Sequence, residues 1–231
     1  MPAPDPLQYD VFADEFDVHA EDAPYNAWYD RPATLALLGE VGGRRVLDAA
    51  CGPGFYLDAL VRGGAEPQGC DASPRMVELA RARTCGEVDV RVHDLDAPFD
   101  WVGDDVVDVV LCALAYHYLN DRPAFLREAR RVLRPGGRLV ISTHHATSDW
   151  LRLGGSYFSV EPVTETWHTG WTVTAWRTPL TVLTEEFADA GFVIARLVEP
   201  RPDPGMAERY PREFERLATS PGFVCFDLRP A

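Results

Sequence analysis

The chain has 231 residues, a formal net charge of −14 and 22 basic residues, every one of them arginine. Residues 1–30 carry eight acids and no base, which is no surface for tracking nucleic-acid phosphates, and "LREARRVLR" further on reads as a solvated helix face. Without lysine the chain builds no ordinary P-loop, pyridoxal Schiff base or kinase strand lysine.

Taken in chain order, the opening "MPAPDPLQYDVFADEFD" has no basic start and no apolar core. It is therefore not expected to be a secretory signal, and with no apolar run near the ~18 residues of a membrane span the protein is expected in the cytoplasm. From residue 44 to 143 apolar runs alternate with helical spacing. "RRVLDAA" reads as a strand and "GFYLDALVRGG" as a helix closing on glycines. "AEPQGCD" follows, then "SPRMVELARAR", a helix with Ser73 as N-cap and Pro74 at its first position. "VDVRVHD" and the almost wholly apolar "DVVDVVLCAL" are strands. "DRPAFLREARRVLR" is a helix with Phe125, Leu126, Ala129, Val132 and Leu133 on one side, and "RLVIST" after "PGG" is the next strand. Buried strands alternating with helices predict a parallel sheet covered on both faces.

Residues 147–178 break the alternation and hold four of the six tryptophans. "TETWHTGWTVTAW" predicts a hairpin turning at Thr169-Gly170, with His168 and Trp171 flanking the turn. Beyond it, "PLTVLTEEFADAG" reads as a helix closed by Gly191, and "FVIARLVE" and "FVCFDLR" as strands. Between them "MAERYPREFERLA" is helical, with Pro211 beginning the helix proper. Five cysteines, odd in number and without C-x-x-C spacing, predict packing thiols rather than a metal site or disulfides.

"LDAACGPGF" puts a glycine turn at the carboxyl end of the first strand, where open parallel sheets bind ligands. It departs from the dinucleotide pattern: Leu57 stands at the third glycine position, and Pro53 has no N–H for a pyrophosphate. Asp48 would repel phosphate and suits an ammonium group. Asp71, about 23 residues on, ends the second strand where a carboxylate accepts from both ribose hydroxyls. Asp94 ends the third, within reach of an adenine amino group. Ammonium, ribose diol and adenine without phosphate describe S-adenosylmethionine.

At these residues the sequence resembles the class I S-adenosylmethionine-dependent methyltransferases, specifically their small-molecule group. "VLDAACGPG", "GCDASPRMVELAR", "HDLDAPF", "VVDVVLCALAYHYL" and "REARRVLRPGGRLVIS" are similar to the family's successive motifs in order and spacing. The resemblance implies a three-layer, Rossmann-like, doubly wound α/β sheet of seven strands with the last antiparallel. A small aromatic-rich β insertion is expected after strand five. One domain over residues 1–231 is expected, with an N-terminal helical cap at 1–43, a cofactor-binding core at 44–143, a substrate lid at 147–178 and the rest of the sheet at 179–231.

By the same resemblance Asp48, Ala50, Gly52 and Gly54 surround the methionine moiety and Asp71 holds the ribose. Ala72 and Met76 flank the adenine, Asp94 and Leu95 meet its edge, and Cys112, Ala113 and Leu114 contact the cofactor through backbone. "PYNAWYDRPA" resembles the helix that closes over the cofactor, where Tyr29 lines the site. Arg31 there pairs either with the methionine carboxylate or with nearby acids. His117 in "LAYHYL" is a base or orienting group, or else fixes its loop; His144 and His145, directly after the fifth strand, are the other catalytic candidates. Tyr157, Phe158 and Trp171 are expected to face the acceptor. The expected partner is a small methyl acceptor methylated on O, N or C, with no metal, nucleic acid or membrane involved and a monomeric or homodimeric state. A nicotinamide-dependent oxidoreductase and a non-catalytic S-adenosylmethionine-binding protein are the alternatives.

Overall fold

The computed structural model describes residues 2–231. A turn of 3-10 helix (Asp10–Phe12) leads into α1 (Ala13–Asp22), and a π turn (Asn26–Asp30) into α2 (Arg31–Leu38). Then β1 (Arg45–Ala49), α3 (Phe55–Arg62), β2 (Glu66–Asp71), α4 (Pro74–Arg83), β3 (Asp89–Val92) and β4 (Val107–Ala113) alternate as expected. A 3-10 turn (Tyr116–Tyr118), α5 (Arg122–Val132) and β5 (Leu133–His144) complete the parallel part. The chain continues through α6 (Ala146–Leu153), the hairpin β6 (Glu161–Thr166) and β7 (Thr172–Arg177), α7 (Leu180–Asp189) and β8 (Phe192–Val198). It ends in α8 (Met206–Arg209), α9 (Pro211–Thr219) and β9 (Phe223–Pro230).

Seven strands form one sheet in the order β3-β2-β1-β4-β5-β9-β8. β1 to β5 pair in parallel, and β9 runs antiparallel to both its neighbours. This is the seven-stranded, Rossmann-like sheet with its last strand antiparallel that was expected. All strands but the last need a crossover, and the crossovers put helices on both faces. β4 shows the consequence: side chains alternate between faces, so Val110 and Cys112 pack with Phe125, Leu126 and Ala129 of α5, while Val109 and Leu111 pack with Leu37 and Leu38 of α2 and Leu60 of α3.

Two local signals read from the sequence recur in the backbone. Ser73 Oγ accepts from the Met76 N–H at 3.0 Å and caps α4, with Pro74 at the first helical position. Pro211 likewise begins α9, separating it from the short α8. Two expectations are revised. β5 starts eleven residues before its end at Leu133, running through "PGG" with a register shift against β4 between Val107 and Val109. Residues 147–178 are not only a hairpin, because α6 fills much of their first part.

The strand order reverses between β1 and β4, and the glycine turn sits at the carboxyl end of β1, over this switch point. Gly54 caps α3 at φ 90°, and a Cβ there would lie 2.9 Å from Ala80 Cα. Gly54→Ala is therefore expected to lower stability by about 2 kcal/mol, from left-handed strain and displacement of α4 together, as read by urea denaturation.

Candidate functional site

A cavity of about 500 Å³ opens above the carboxyl ends of β1, β2 and β4. Its floor is the glycine turn. The Gly52 N–H donates to Asp71 Oδ2 at 2.8 Å and the Ser73 N–H to Asp71 Oδ1 at 2.9 Å, so the ends of β1 and β2 are tied through one carboxylate. Asp71 lines the cavity, and each of its oxygens keeps a lone pair for a ligand. Burial pushes its carboxyl up to about 6, against the pull of those two backbone donors.

Asp48 lies just under this floor. It is 1% exposed, and neither carboxylate oxygen has a hydrogen-bond partner. Burial, with the neighbouring Asp71 charge, pushes its carboxyl up to about 8. An unpaired buried acid costs about 1–3 kcal/mol or more, and a perturbed carboxyl beside a cavity is a candidate binding group.

Of the residues predicted to hold a cofactor, Arg31, Ala50, Gly52, Asp71, Ala72, Met76, Asp94, Leu95, Ala113 and Leu114 line the cavity. Ala50 and Leu114 take the left-handed conformation, φ 63° and 51°, at the tight exits from β1 and β4. Asp48 lies beneath it and does not line it. Three others are placed differently. Tyr29 is fully buried among Met206, Leu217 and Phe223, its hydroxyl accepting from the Gly222 N–H at 3.0 Å, so it anchors the C-terminal helices instead. Gly54 faces α4, and Cys112 points into the core between the sheet and α5. Arg31 donates to the Ala20 carbonyl at 2.9 Å and lies over the Phe55 ring, so its contacts within the protein are not the ion pair with nearby acids that was one of its two expected roles.

The histidines separate by strand alternation. His117 and His144 both line the cavity, their rings stacked with centroids 3.8 Å apart and 16° between planes. His117 is buried, its Nδ1 3.1 Å from Thr143 Oγ1. His144 Nδ1 is 3.7 Å from Asp149 Oδ2. His145 points the other way: its Nδ1 accepts from the Thr147 N–H to cap α6, and its Nε2 meets Glu199 at 3.0 Å. It is a structural histidine, and the catalytic expectation for it is withdrawn.

Two segments far apart in sequence close the cavity. The N-terminal strap docks on α4, where Asp10 accepts from Ser73 Oγ at 2.6 Å and from the Arg75 N–H at 3.1 Å. Part of the acidic charge of residues 1–30 is spent here, since Asp14 also pairs with Arg75 and Asp17 with Arg83. The strap then meets the hairpin. The Gln8 amide bonds both backbone groups of Thr174, at 2.7 and 3.1 Å, and Phe12 stacks on Trp171 at 4.9 Å with 5° between planes.

This meeting corrects the expected acceptor contacts. Trp171 is spent on Phe12, Phe16 and His19. The Tyr157 hydroxyl accepts from the Leu180 N–H at 3.3 Å, and Phe158 is exposed on the outer surface. The hairpin instead turns Glu165, Thr166, Trp167 and His168 to the cavity, while the strap contributes Tyr9, Phe16 and His19. The Tyr9 and Tyr118 hydroxyls meet at 2.7 Å inside it. Among the described residues no cluster of three or more His, Cys, Asp or Glu stands ready to hold a metal, and no helix is long and apolar enough to cross a membrane.

Comparison with known proteins places this geometry. Residues 47–141 match the family model described as a methyltransferase domain. The demethylmenaquinone methyltransferase of Tropheryma whipplei (strain Twist) is 36% identical over 113 residues, 48% of this chain and 46% of the relative. A ubiquinone biosynthesis O-methyltransferase of Xanthomonas oryzae pv. oryzae (strain PXO99A) is 33% identical over 112 residues, 47% of this chain and 46% of the relative. The chain thus spans about half the length of the curated relatives it matches. A solved structure described as the DhpI-SAM-HEP complex superposes with a TM-score of 0.66 at 26% identity, over 96% of this chain and 94% of that one.

The strap-to-hairpin closure predicts a specific response. Trp171→Ala should speed amide exchange in residues 8–20 by about tenfold or more while moving the global unfolding midpoint little, since the sheet core is untouched. Hydrogen-exchange mass spectrometry checks this; unchanged protection of the strap would mean that the stack does not hold it.

Proposed function

By the sequence of its core and the order of its sheet, the chain belongs to the class I S-adenosylmethionine-dependent methyltransferases, and from this we propose that it methylates a small, flat acceptor. The observation that carries the reading is Asp48, a buried carboxylate with both oxygens unpaired at the point where the glycine turn begins. A cofactor with an ammonium group and no phosphate answers that vacancy in bonding; a dinucleotide phosphate would meet three carboxylates instead.

In this reading Asp48 and the backbone of Ala50 and Gly52 hold the amino-acid end, and Asp71 accepts from the ribose. Ala72, Met76, Asp94 and Leu95 flank the adenine, while Ala113 and Leu114 border the sulfur. Arg31, on the cavity wall, supplies the free N–H groups for the cofactor's carboxylate. When bound, S-adenosylmethionine supplies a methyl group on a positively charged sulfur that leaves as a neutral thioether. The chain's own residues align the acceptor and exclude water, and the strap and hairpin do both by closing from opposite sides. Relatives named for quinone methylation support an aromatic acceptor. The walls fit one, with Tyr9, Phe16, Tyr118, Trp167 and Phe223 around the acceptor end.

The Asp48 carboxyl gives a proton-linked test. At about 8 it is mostly protonated at neutral pH in the ligand-free protein, and a neighbouring ammonium favours its ionised form. Binding of S-adenosylhomocysteine should therefore release a proton near pH 7, and affinity should rise by up to about tenfold per pH unit, levelling off near the Asp48 value. Calorimetry in buffers of different ionisation enthalpy reads this directly. Asp48→Asn should abolish the release, and a wild-type affinity flat in pH would contradict the assignment.

Stability carries the opposite sign. With the folded value raised above the unfolded one, the ligand-free protein loses stability as pH rises from about 4 towards about 8. Asp48→Asn should thus raise the ligand-free Tm more at pH 8 than at pH 5, as scanning calorimetry would show.

A further inference from the structure

We propose that His144 is the base of this site, positioned by Asp149, and that the acceptor is a flat molecule methylated on an aromatic hydroxyl. The proposal rests on the methyltransferase reading above. Its first support is the wall at the acceptor end. The His144 ring is nearly parallel to His117, with 16° between planes, and to Phe223, with 9° between planes and centroids 6.0 Å apart. Three near-parallel rings on one wall favour a flat guest.

The second support is which nitrogen is free. His144 Nδ1 is turned to Asp149 Oδ2 at 3.7 Å, and among the described residues no hydrogen bond engages Nε2. His117 is the poorer base, since it is buried and its Nδ1 meets Thr143 Oγ1. Stacked at 3.8 Å, the two rings resist carrying charge together, so His117 stays neutral when His144 takes a proton.

The third support is the charge on this side of the cavity. Its two carboxylates, Asp149 and Glu165, are both engaged by Arg152, which bridges α6 to the hairpin. Neither is free to hold an ammonium acceptor. The groups facing His144 are His117 from the turn after β4, Asp149 and Arg152 from α6, and Phe223 from β9; Tyr118 packs on His117, and Arg122 acts on His117 from α5. Burial lowers both imidazoles, with Asp149 partly restoring His144, so His144 is unprotonated and able to accept at neutral pH.

The step balances without a further reactant. The acceptor O–H bond breaks and its proton goes to His144 Nε2. The oxygen forms a bond to the methyl carbon as the carbon–sulfur bond breaks, its electron pair passing to the sulfonium sulfur. The products are the methyl ether, S-adenosylhomocysteine and a protonated His144, which returns its proton to water.

The test uses 4-nitrophenol, whose phenolate absorbs where the neutral phenol does not, on the full chain. Binding of S-adenosylhomocysteine is measured first by calorimetry; its absence would remove the methyltransferase reading itself. On the loaded protein, bound 4-nitrophenol should ionise about tenfold more readily than in solution, and the nitrogen NMR signal of His144 should move to its protonated position in step. His144→Asn should bind the probe but lose this shift, and Asp149→Asn should reduce it. The proposal is overturned if the probe does not bind, if it binds as the neutral phenol, if the shift survives His144→Asn, or if 4-nitroaniline binds in preference to it.

Discussion

A carboxylate buried without partners is the constraint around which the upper face of this sheet is arranged. Asp48 sits at the last turn of β1, inside a ladder that pairs it with Gly69 of β2 and Leu111 of β4, so it cannot turn to water. Its neighbour Asp71 is satisfied only by backbone donors from the two turns it joins. The result is a pair of carboxyls held well above their ordinary values, under a cavity floor made of glycine and alanine backbone. The chain has no lysine, and Arg31, which lines the cavity, lies over the Phe55 ring; in the proposed reading these two acids receive the ammonium and the ribose of the cofactor.

The rest of the cavity follows from the sheet's topology. Parallel strands deliver their turns to one edge, so β1 and β2 supply one end of the cavity, while the turn after β4, the end of β5 and the start of β9 supply His117, His144 and Phe223 to it. Strand alternation then sorts adjacent residues: His144 enters the cavity, and His145 is taken by Glu199 and the start of α6. Closure comes from outside the sheet. The strap is anchored through Asp10 to the cap of α4, and its far side is anchored through Phe12 to the hairpin. The cavity is thereby covered by two segments far apart in sequence that hold each other in place.

The glycine-turn end of the cavity was legible in the sequence because its signals are local. A glycine turn after an apolar run, an acid at each of three strand ends and the Ser73-Pro74 helix start are each fixed by a few neighbouring residues. The acceptor end was not, because direction there depends on partners distant in the chain. The aromatic content of residues 147–178 correctly marks a segment beside the site, but Trp171 faces Phe12 rather than a ligand, and nothing within the hairpin reveals that. Trp167, four residues earlier, is the one turned inward. Tyr29 misleads in the same way: its neighbours suggest a closing helix, while the π turn carries its ring into the cluster with Met206 and Leu217. Asp149 and Arg152 were missed because the eight-residue α6 is too short for periodicity to separate it from a loop, and Glu165 because only the fold brings β6 against Arg152.

The central claim is that the unpaired acid of β1 is the seat of a phosphate-free, cationic cofactor. A crystal structure of the full chain grown with S-adenosylhomocysteine tests it most directly. The account predicts the ligand's amino group beside Asp48 and its ribose hydroxyls on Asp71, with the sulfur turned towards Leu114. A ligand bound elsewhere, or bound in the cavity with Asp48 still lacking any partner, would contradict it.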